Sequence, residues 1–396
     1  MSDNITVHSW TGLDPQADAQ DIQTQADEVA KLFAGFVRAA KSTVHIAIYD
    51  FRLEGSQATI VLDAFDECVK AGVDVRVAYF QQRPERPRKS AADFTRNGGD
   101  PYPGEDEGFL KSMRARNVKV QPVTEVGVAQ LEAAVSRRAI EGGGHLMHSK
   151  YIIRDGQHPD AAVWMGSANF TSDAWALQDN NVVLVNSQDL AAYYETDFAE
   201  LWSSQRIAGT GKDDQGTVVV DEAPVEVTFS PGDGAVIEKE FAGLIASAQH
   251  SVALASMVIS SGPIMGALID ALGRGVAITG VYDGPEMKDV IGDWNRAHGG
   301  KSAGKEQQWE HLASLLVAKQ SLPYTANGPH NFMHNKVVVV DSEVAATGSF
   351  NLSENAAHNA ENVLVIHDEE VAEQFETYIE GLVATYGAKK GKGGKG

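Results

Sequence analysis

Apolar residues along this chain follow two rhythms that alternate, and the alternation occurs twice. In "FAGFVRAAKSTVHIAIY" (33–49) they first recur every three or four residues and then run almost without interruption. That pattern predicts the end of an amphipathic helix, a small polar junction and a strand. "FAGLIASAQHSVALASM" (241–257) does the same. "IVLDAFDECVKAGVDVRVAYF" (60–80) and "IMGALIDALGRGVAITGVYD" (264–283) each carry a helical pattern that stops at a glycine, Gly72 or Gly275, before a β-branched strand. Glycine is the expected residue just past a helix end, where the backbone turns left-handed.

The parallel continues downstream. Two apolar stretches, "HSKYIIRD" (148–155) and "HNKVVVVD" (334–341), are followed by "GSANFTSDAW" (166–175) and "GSFNLSENAA" (348–357). Each half then ends in a strand, "NNVVLV" or "ENVLVI", and a helix, "DLAAYYETDFAELW" or "EVAEQFETYIEGLV". Strand and helix in the same order twice predict a duplicated domain of α/β sandwiches with mostly buried sheets. The expected divisions are 1–205 for the first half, 206–224 for a Gly- and Asp-rich linker, 225–386 for the second half and 387–396 for a disordered basic tail. Two long segments, 81–144 and 284–330, precede the paired stretches and differ between halves. Segments of that length usually shape a binding pocket.

Composition narrows the class. Of 396 residues, 43% are apolar, enough for a substantial core. No apolar run approaches the roughly 18 residues of a membrane span, and the N-terminus lacks the basic start and apolar run of a secretory signal. These readings favour a cytoplasmic protein, with peripheral membrane contact left open. Cys68 is the only cysteine, so neither an intrachain disulfide nor a cysteine metal cage can form. The net charge of −21 disfavours long-range attraction to nucleic acid or to anionic membranes. Two basic segments run against it, "QQRPERPRKSAADFTR" (81–96) and "GAKKGKGGKG" (387–396).

Residues two apart on a strand share a face, so His148 projects with Lys150 and His334 with Lys336. Asp155 and Asp341 have the opposite parity and fall at the strand end, where they suit holding a turn. The "G-S-x-N" that follows adds small polar groups, Ser167 and Asn169, then Ser349 and Asn351, on a glycine-led turn. Set face to face, the halves supply two imidazoles, two ammoniums, two hydroxyls and two amides. No carboxylate cluster suggests a metal, and no cofactor is called for. This inventory suits an oxyanion with spread negative charge, above all a phosphate. One imidazole can attack phosphorus while the other protonates the leaving oxygen. For one histidine on an apolar strand a structural role is the better expectation; the duplicated spacing reverses that. His145, His330 and His358 lie near the motifs without a spacing rule that gives them work. Trp175, Trp294 and Trp309 are better explained by packing than by substrate contact.

These two "H-x-K-x4-D" stretches with their "G-S-x-N" followers resemble the phospholipase D superfamily, over residues about 28 to 385. "TFSPGDG" (228–234) is similar to the segment that opens the second half in many two-motif members. The resemblance implies a pseudo-twofold bilobal α/β fold with two mostly buried mixed sheets flanked by helices, a site on the pseudo-twofold axis, a phosphohistidine intermediate and no metal. It assigns His148, Lys150 and Asp155 with Ser167 and Asn169 to one motif, and His334, Lys336 and Asp341 with Ser349 and Asn351 to the other. Family members often place a Glu after the motif to orient a catalytic His; "NAENVLVI" offers Glu361 as the expected partner of His334. The first half reads "QDNNVVLV", where Asp179 or Asn180 must serve. By the same analogy His148 is the nucleophile and His334 the acid/base. The expected activity is phospholipase D-type cleavage or transfer on a phospholipid. A nuclease is the rival, kept alive by the basic segment, and a non-catalytic phosphate-binding protein is the third reading. A monomer suffices for the site.

Overall fold

The computed structural model describes residues 4–81, 107–124, 145–212, 214–296, 300–324 and 328–390. Nearly all of the basic 81–96 segment lies outside these residues, as does the chain beyond Lys390. In the first lobe the strands are β1 (Ile5–Trp10), β2 (Thr43–Ile48), β3 (Phe51–Arg52), β4 (Asp74–Phe80), β5 (Lys119–Val123), β6 (Lys150–Arg154), β7 (Ala162–Gly166), β8 (Phe170–Thr171) and β9 (Asn180–Asn186). Its helices are α1 (Ala19–Arg38), α2 (Gly55–Lys70), α3 (Glu107–Ala115), α4 (Ser172–Ala176) and α5 (Gln188–Ser204). The second lobe has β10 (Gly216–Val220), β11 (Ala223–Ser230), β12 (Ser251–Ser256), β13 (Ala277–Asp283), β14 (Val317–Lys319), β15 (Lys336–Val340), β16 (Val344–Gly348) and β17 (Glu361–His367). Its helices are α6 (Gly234–Ser247), α7 (Gly262–Gly273), α8 (Gly284–Arg296), α9 (Gly300–Ala313) and α10 (Glu369–Lys390).

The sheets repeat strand for strand. The first runs β1-β9-β7-β6-β2-β4-β5 and the second β10-β11-β17-β16-β15-β12-β13-β14. Without the edge strand β10, every position has its counterpart, and β6 corresponds to β15. In both sheets the strand that carries the His/Lys pair is central and antiparallel to both neighbours. Ile152, Ile153 and Val337 to Val340 are buried because both faces of each sheet are covered. α1 and α2 cover the outside of the first sheet, α6 and α7 the outside of the second. The inner faces share one core with α5 and α10, in which Tyr151, Tyr194 and Phe229 pack edge to face.

The glycine stops behave as expected, with φ of +88° at Gly72 and +87° at Gly275. Three boundaries differ from expectation. The linker 206–224 contains β10, because Val218 and Val220 point into the core while Val219 faces out, the period-two pattern of a half-covered strand. The segment 284–330 is mainly helical, built from α8 and α9 with β14 behind them. The last helix runs to Lys390, through "GAKK", into the stretch expected to be a disordered tail.

Candidate active site

The strand parity holds. His148, Lys150, His334 and Lys336 are all buried, at 6%, 1%, 4% and 0% exposure. Each lysine folds back on its own motif: Lys150 Nζ donates to His148 O at 2.7 Å and Lys336 Nζ to His334 O at 2.6 Å. Lys150 also lies over the Tyr49 ring, 5.1 Å from its centre, and that ring meets His148 edge-on.

The halves are stitched together at the imidazoles. Met147 bridges Ala360, and Asp179 bridges Met333, each as a short parallel pairing across the lobes. These crossings bring the start of each final strand to the other half's histidine. His148 Nδ1 therefore meets Glu361 Oε2 at 2.8 Å, and His334 Nδ1 meets Asn180 Oδ1 at 2.9 Å. This corrects the expected pairing: Glu361 serves His148, and Asn180 serves His334. A sequence motif groups residues by half, whereas the pairing is across the axis. Asn180 is held with its amide outward from the ring, Nδ2 donating to Ala174 O at 3.0 Å. Its oxygen must then accept, so His334 carries its proton on Nδ1 and leaves Nε2 for chemistry.

The serines also differ from expectation. Ser167 Oγ donates to Asn180 Oδ1 at 2.8 Å, and Ser349 hydrogen-bonds Glu361. Each hydroxyl is fully buried and also accepts from the next strand, from Asn181 N or Asn362 N at 3.0 Å. They orient the groups that orient the histidines and have no proton to offer a phosphate. The glycine ahead of each serine has a local cause. A Cβ at Gly166 would sit 2.3 Å from Asn181 O, and one at Gly348 2.1 Å from Asn362 O. The close approach is to the neighbouring strand, where a ligand had been expected. Asn169 and Asn351 each bury Oδ1 without a hydrogen-bond partner among the described residues; that oxygen is an acceptor, so a contact to a phosphate falls to the Nδ2 amide.

Two supports were not read from the sequence. Asn359 Nδ2 donates to Glu361 Oε1 at 3.0 Å, and Gln178 Oε1 takes Asn180 Nδ2 at 3.4 Å. Both stand two residues ahead of the group they hold, a match that lining up "QDNN" with "NAEN" would have exposed.

Burial holds both imidazoles well below their ordinary value, and the two ammoniums add to the effect. Each ring responds to both Lys150 and Lys336, as expected only if all four groups share one pocket. Burial lifts Glu361 to about 7, against the pull of Lys150. In the resting site His148 is then a neutral ring whose Nδ1–H donates to a carboxyl that titrates near neutrality.

Asp155 and Asp341 do not join this pocket. With about 3.3 Å per strand residue, Asp155 lies some 16 Å along the strand from Lys150. Its carboxylate accepts from the backbone N–H of Lys41, Ser42 and Thr43, and Asp341 does the same for Gln249, His250 and Ser251. These bonds hold both carboxyls below the ordinary range against the desolvation that raises them. The aspartates clamp the helix-to-strand junctions, so their placement with the catalytic residues is corrected to a structural role. Of the flanking histidines, His145 and His358 lie 5.5 Å apart at the surface, and His330 is stacked between Tyr324 and Phe332. Trp175 and Trp309 are core residues.

Among the described residues one set of carboxylates has metal-holding spacing, Asp197, Glu200 and Asp214, with oxygens within 4.8 Å of one another. It belongs to α5 and the chain after it. Tyr151, which faces away from Lys150, reaches it by donating to Asp197 at 2.6 Å. No such set includes either imidazole.

The chain is similar to several known proteins. The family described as cardiolipin synthase, phospholipase D-like domain matches residues 35–202 and 241–383, well over half of the chain. A phospholipase D of Rickettsia bellii is 30% identical over 157 residues, which cover 39% of this chain and 67% of that protein. One from Rickettsia conorii is 29% identical over 157 residues, with 39% and 68% covered. Among solved structures, phosphatidylserine synthase of Haemophilus influenzae superposes over 97% of this chain and 87% of its own, with a TM-score of 0.61 at 12% identity, a likeness of fold. With a family match in each lobe and both motifs at the lobe interface, the chain belongs to the phospholipase D superfamily.

Proposed function

We propose that this protein is a metal-independent phosphodiester hydrolase or transferase that works through a phosphohistidine, with a phospholipid as its substrate. The observation that carries this reading is the crossed pairing. Each imidazole is anchored at Nδ1 by the opposite lobe and is lowered by both Lys150 and Lys336, which supports two rings and two ammoniums serving one anion. The named relatives, phospholipases D and a phosphatidylserine synthase, favour a phospholipid over a nucleic acid.

In the proposed sequence Nε2 of His148 attacks phosphorus and the bond to the leaving oxygen breaks. His334 gives its Nε2 proton to that oxygen. Water or an alcohol then passes a proton to His334 and attacks phosphorus, which breaks the P–N bond and frees His148. Lys150 and Lys336 offset charge on the phosphoryl oxygens, as a metal does elsewhere. Asymmetry of the partners supports the order of roles. A phosphorylated imidazole is cationic, and only His148 has a carboxylate at Nδ1 to stabilise it. His334 rests on a neutral amide, so its proton is held less tightly and is easier to give up. The resting His334 is deprotonated because burial and two ammoniums oppose its charge. A phosphodiester that pairs with those ammoniums restores its proton affinity.

Purified protein incubated with a phospholipid panel and with single- and double-stranded nucleic acids tests the substrate class. Released headgroup is the expected outcome, and cut strands without it would favour the nuclease. Replacing either His148 or His334 by Ala should abolish turnover, and undiminished hydrolysis with both replaced sinks the mechanism.

A further inference from the structure

The two halves treat their imidazoles alike at the backbone and differently behind it. His148 N donates to Ala360 O and Ala360 N to Leu146 O; likewise His334 N donates to Asp179 O and Asp179 N to Phe332 O, all at 2.7 to 3.0 Å. Ala360 and Asp179 are thus equivalent positions. Strand pairing adds two more equivalences: Phe80 sits beside Val123 at the ends of β4 and β5, and Asp283 beside Lys319 at the ends of β13 and β14. Three apolar residues behind His148, namely Ala360, Phe80 and Val123, are matched behind His334 by two carboxylates and an ammonium.

These charges form a buried cluster, or cage, in which Lys319 pairs with Asp179 and, from a distance, lowers Asp283 against the burial that raises it. Lys319 Nζ donates to Asp179 Oδ2 at 2.8 Å and to Phe332 O at 3.2 Å. Gly12 N and Tyr386 Oη, from opposite ends of the chain, both donate to Asp179 Oδ1 at 2.8 Å. Asp283 Oδ2 accepts from Met333 N at 2.9 Å. Both carboxylates are 0% exposed and Lys319 only 4%. Buried ions of this kind add little stability over an apolar filling, and the equivalent place behind His148 manages with an apolar one. What these side chains do fix is the piece of chain leading into His334: Lys319 Nζ holds Phe332 O and Asp283 Oδ2 holds Met333 N.

We propose that the Asp179–Lys319–Asp283 cage is a positioning device for His334, aligning Nε2 with the leaving oxygen. This rests on the reading of His334 as proton donor. His148 has the charged Glu361 to fix it, and its position is checked again by the covalent bond it makes. His334 has a neutral amide and only transfers a proton, a step that tolerates little misplacement.

The test compares two phosphodiesters that keep the same group and lose either an aliphatic alcohol or p-nitrophenol, in single-turnover cleavage. Tyr386→Phe removes one hydrogen bond and keeps the ring. The double variant Asp179→Ala, Lys319→Val installs two of the three apolar residues that stand behind His148. In both, cleavage with the alcohol should fall by about tenfold or more while p-nitrophenol release stays within about twofold, because that phenolate departs unprotonated. Equal slowing of both substrates, or slowing of neither, overturns the proposal. If the unaltered protein yields no phosphohistidine, the mechanism itself fails. Hydrogen exchange at the Met333 and His334 amides then decides on the cage: faster exchange in the folded double variant supports it and unchanged exchange overturns it.

Discussion

Glu361→Gln isolates the charge that distinguishes the two imidazoles. The carboxyl is 0% exposed, with Oε2 2.8 Å from His148 Nδ1 and Oε1 3.0 Å from Asn359 Nδ2. Glutamine keeps the shape and one acceptor but removes the charge, and Asn359 must turn its amide to avoid facing another donor. In the phosphorylated state the His148 ring is cationic. With charge centres about 4 Å apart and an effective dielectric constant of about 20, the lost attraction is about 4 kcal/mol. Nearby Lys150 and partial development of charge in the transition state reduce that, so the rate of phosphoenzyme formation should fall about 10²- to 10³-fold. Substrate affinity should hardly change, since the resting imidazole is neutral. The assay is rapid mixing with a p-nitrophenyl phosphodiester, quenched in alkali to preserve phosphohistidine. With that leaving group, the wild-type rate should rise as pH passes about 7, where Glu361 ionises, and the variant should lose this rise. A variant within threefold of wild type, or label recovered on His334, would refute the assignment of His148 as a nucleophile stabilised by Glu361.

Binding of an unreactive phosphodiester analogue at pH 6 to 7 should take up protons, seen as a buffer-dependent heat in titration calorimetry. The empty site holds both imidazoles low through burial and two ammoniums, and an anion between those ammoniums reverses the second cause; a heat independent of buffer contradicts this. Asp155→Ala leaves three backbone N–H groups and the Ser42 hydroxyl without their acceptor. It should cost about 2–4 kcal/mol in urea unfolding and leave the turnover of folded protein unchanged. Turnover should persist in excess chelator, and its full loss, restored by a divalent ion, would contradict the metal-free chemistry.

Strand parity alone put His148 beside Lys150 and His334 beside Lys336, and the doubled order of elements foretold the paired sheets. These are local properties: a period of two on a strand, a period near 3.6 on a helix, a glycine at a helix stop. The departures share one cause. Sequence order pairs Glu361 with His334 because both belong to the second half, yet Glu361 touches a residue 213 positions away. A hydroxyl on a turn looks available to a phosphate, whereas Ser167 and Ser349 are each occupied by the strand beside them. Partners along a strand follow from spacing; partners across an axis follow from how two sheets dock, and no spacing encodes that. The duplication nevertheless held unused information. A perfect repeat would give both imidazoles the same surroundings, so every place where the halves disagree is a place where the two roles can diverge. Asn180 against Glu361, Asp179 against Ala360, Lys319 against Val123 and Asp283 against Phe80 are such places, and all four lie at or just behind the two rings. For a duplicated site the shared residues identify the chemistry, and the unshared ones decide which half attacks and which half carries the proton.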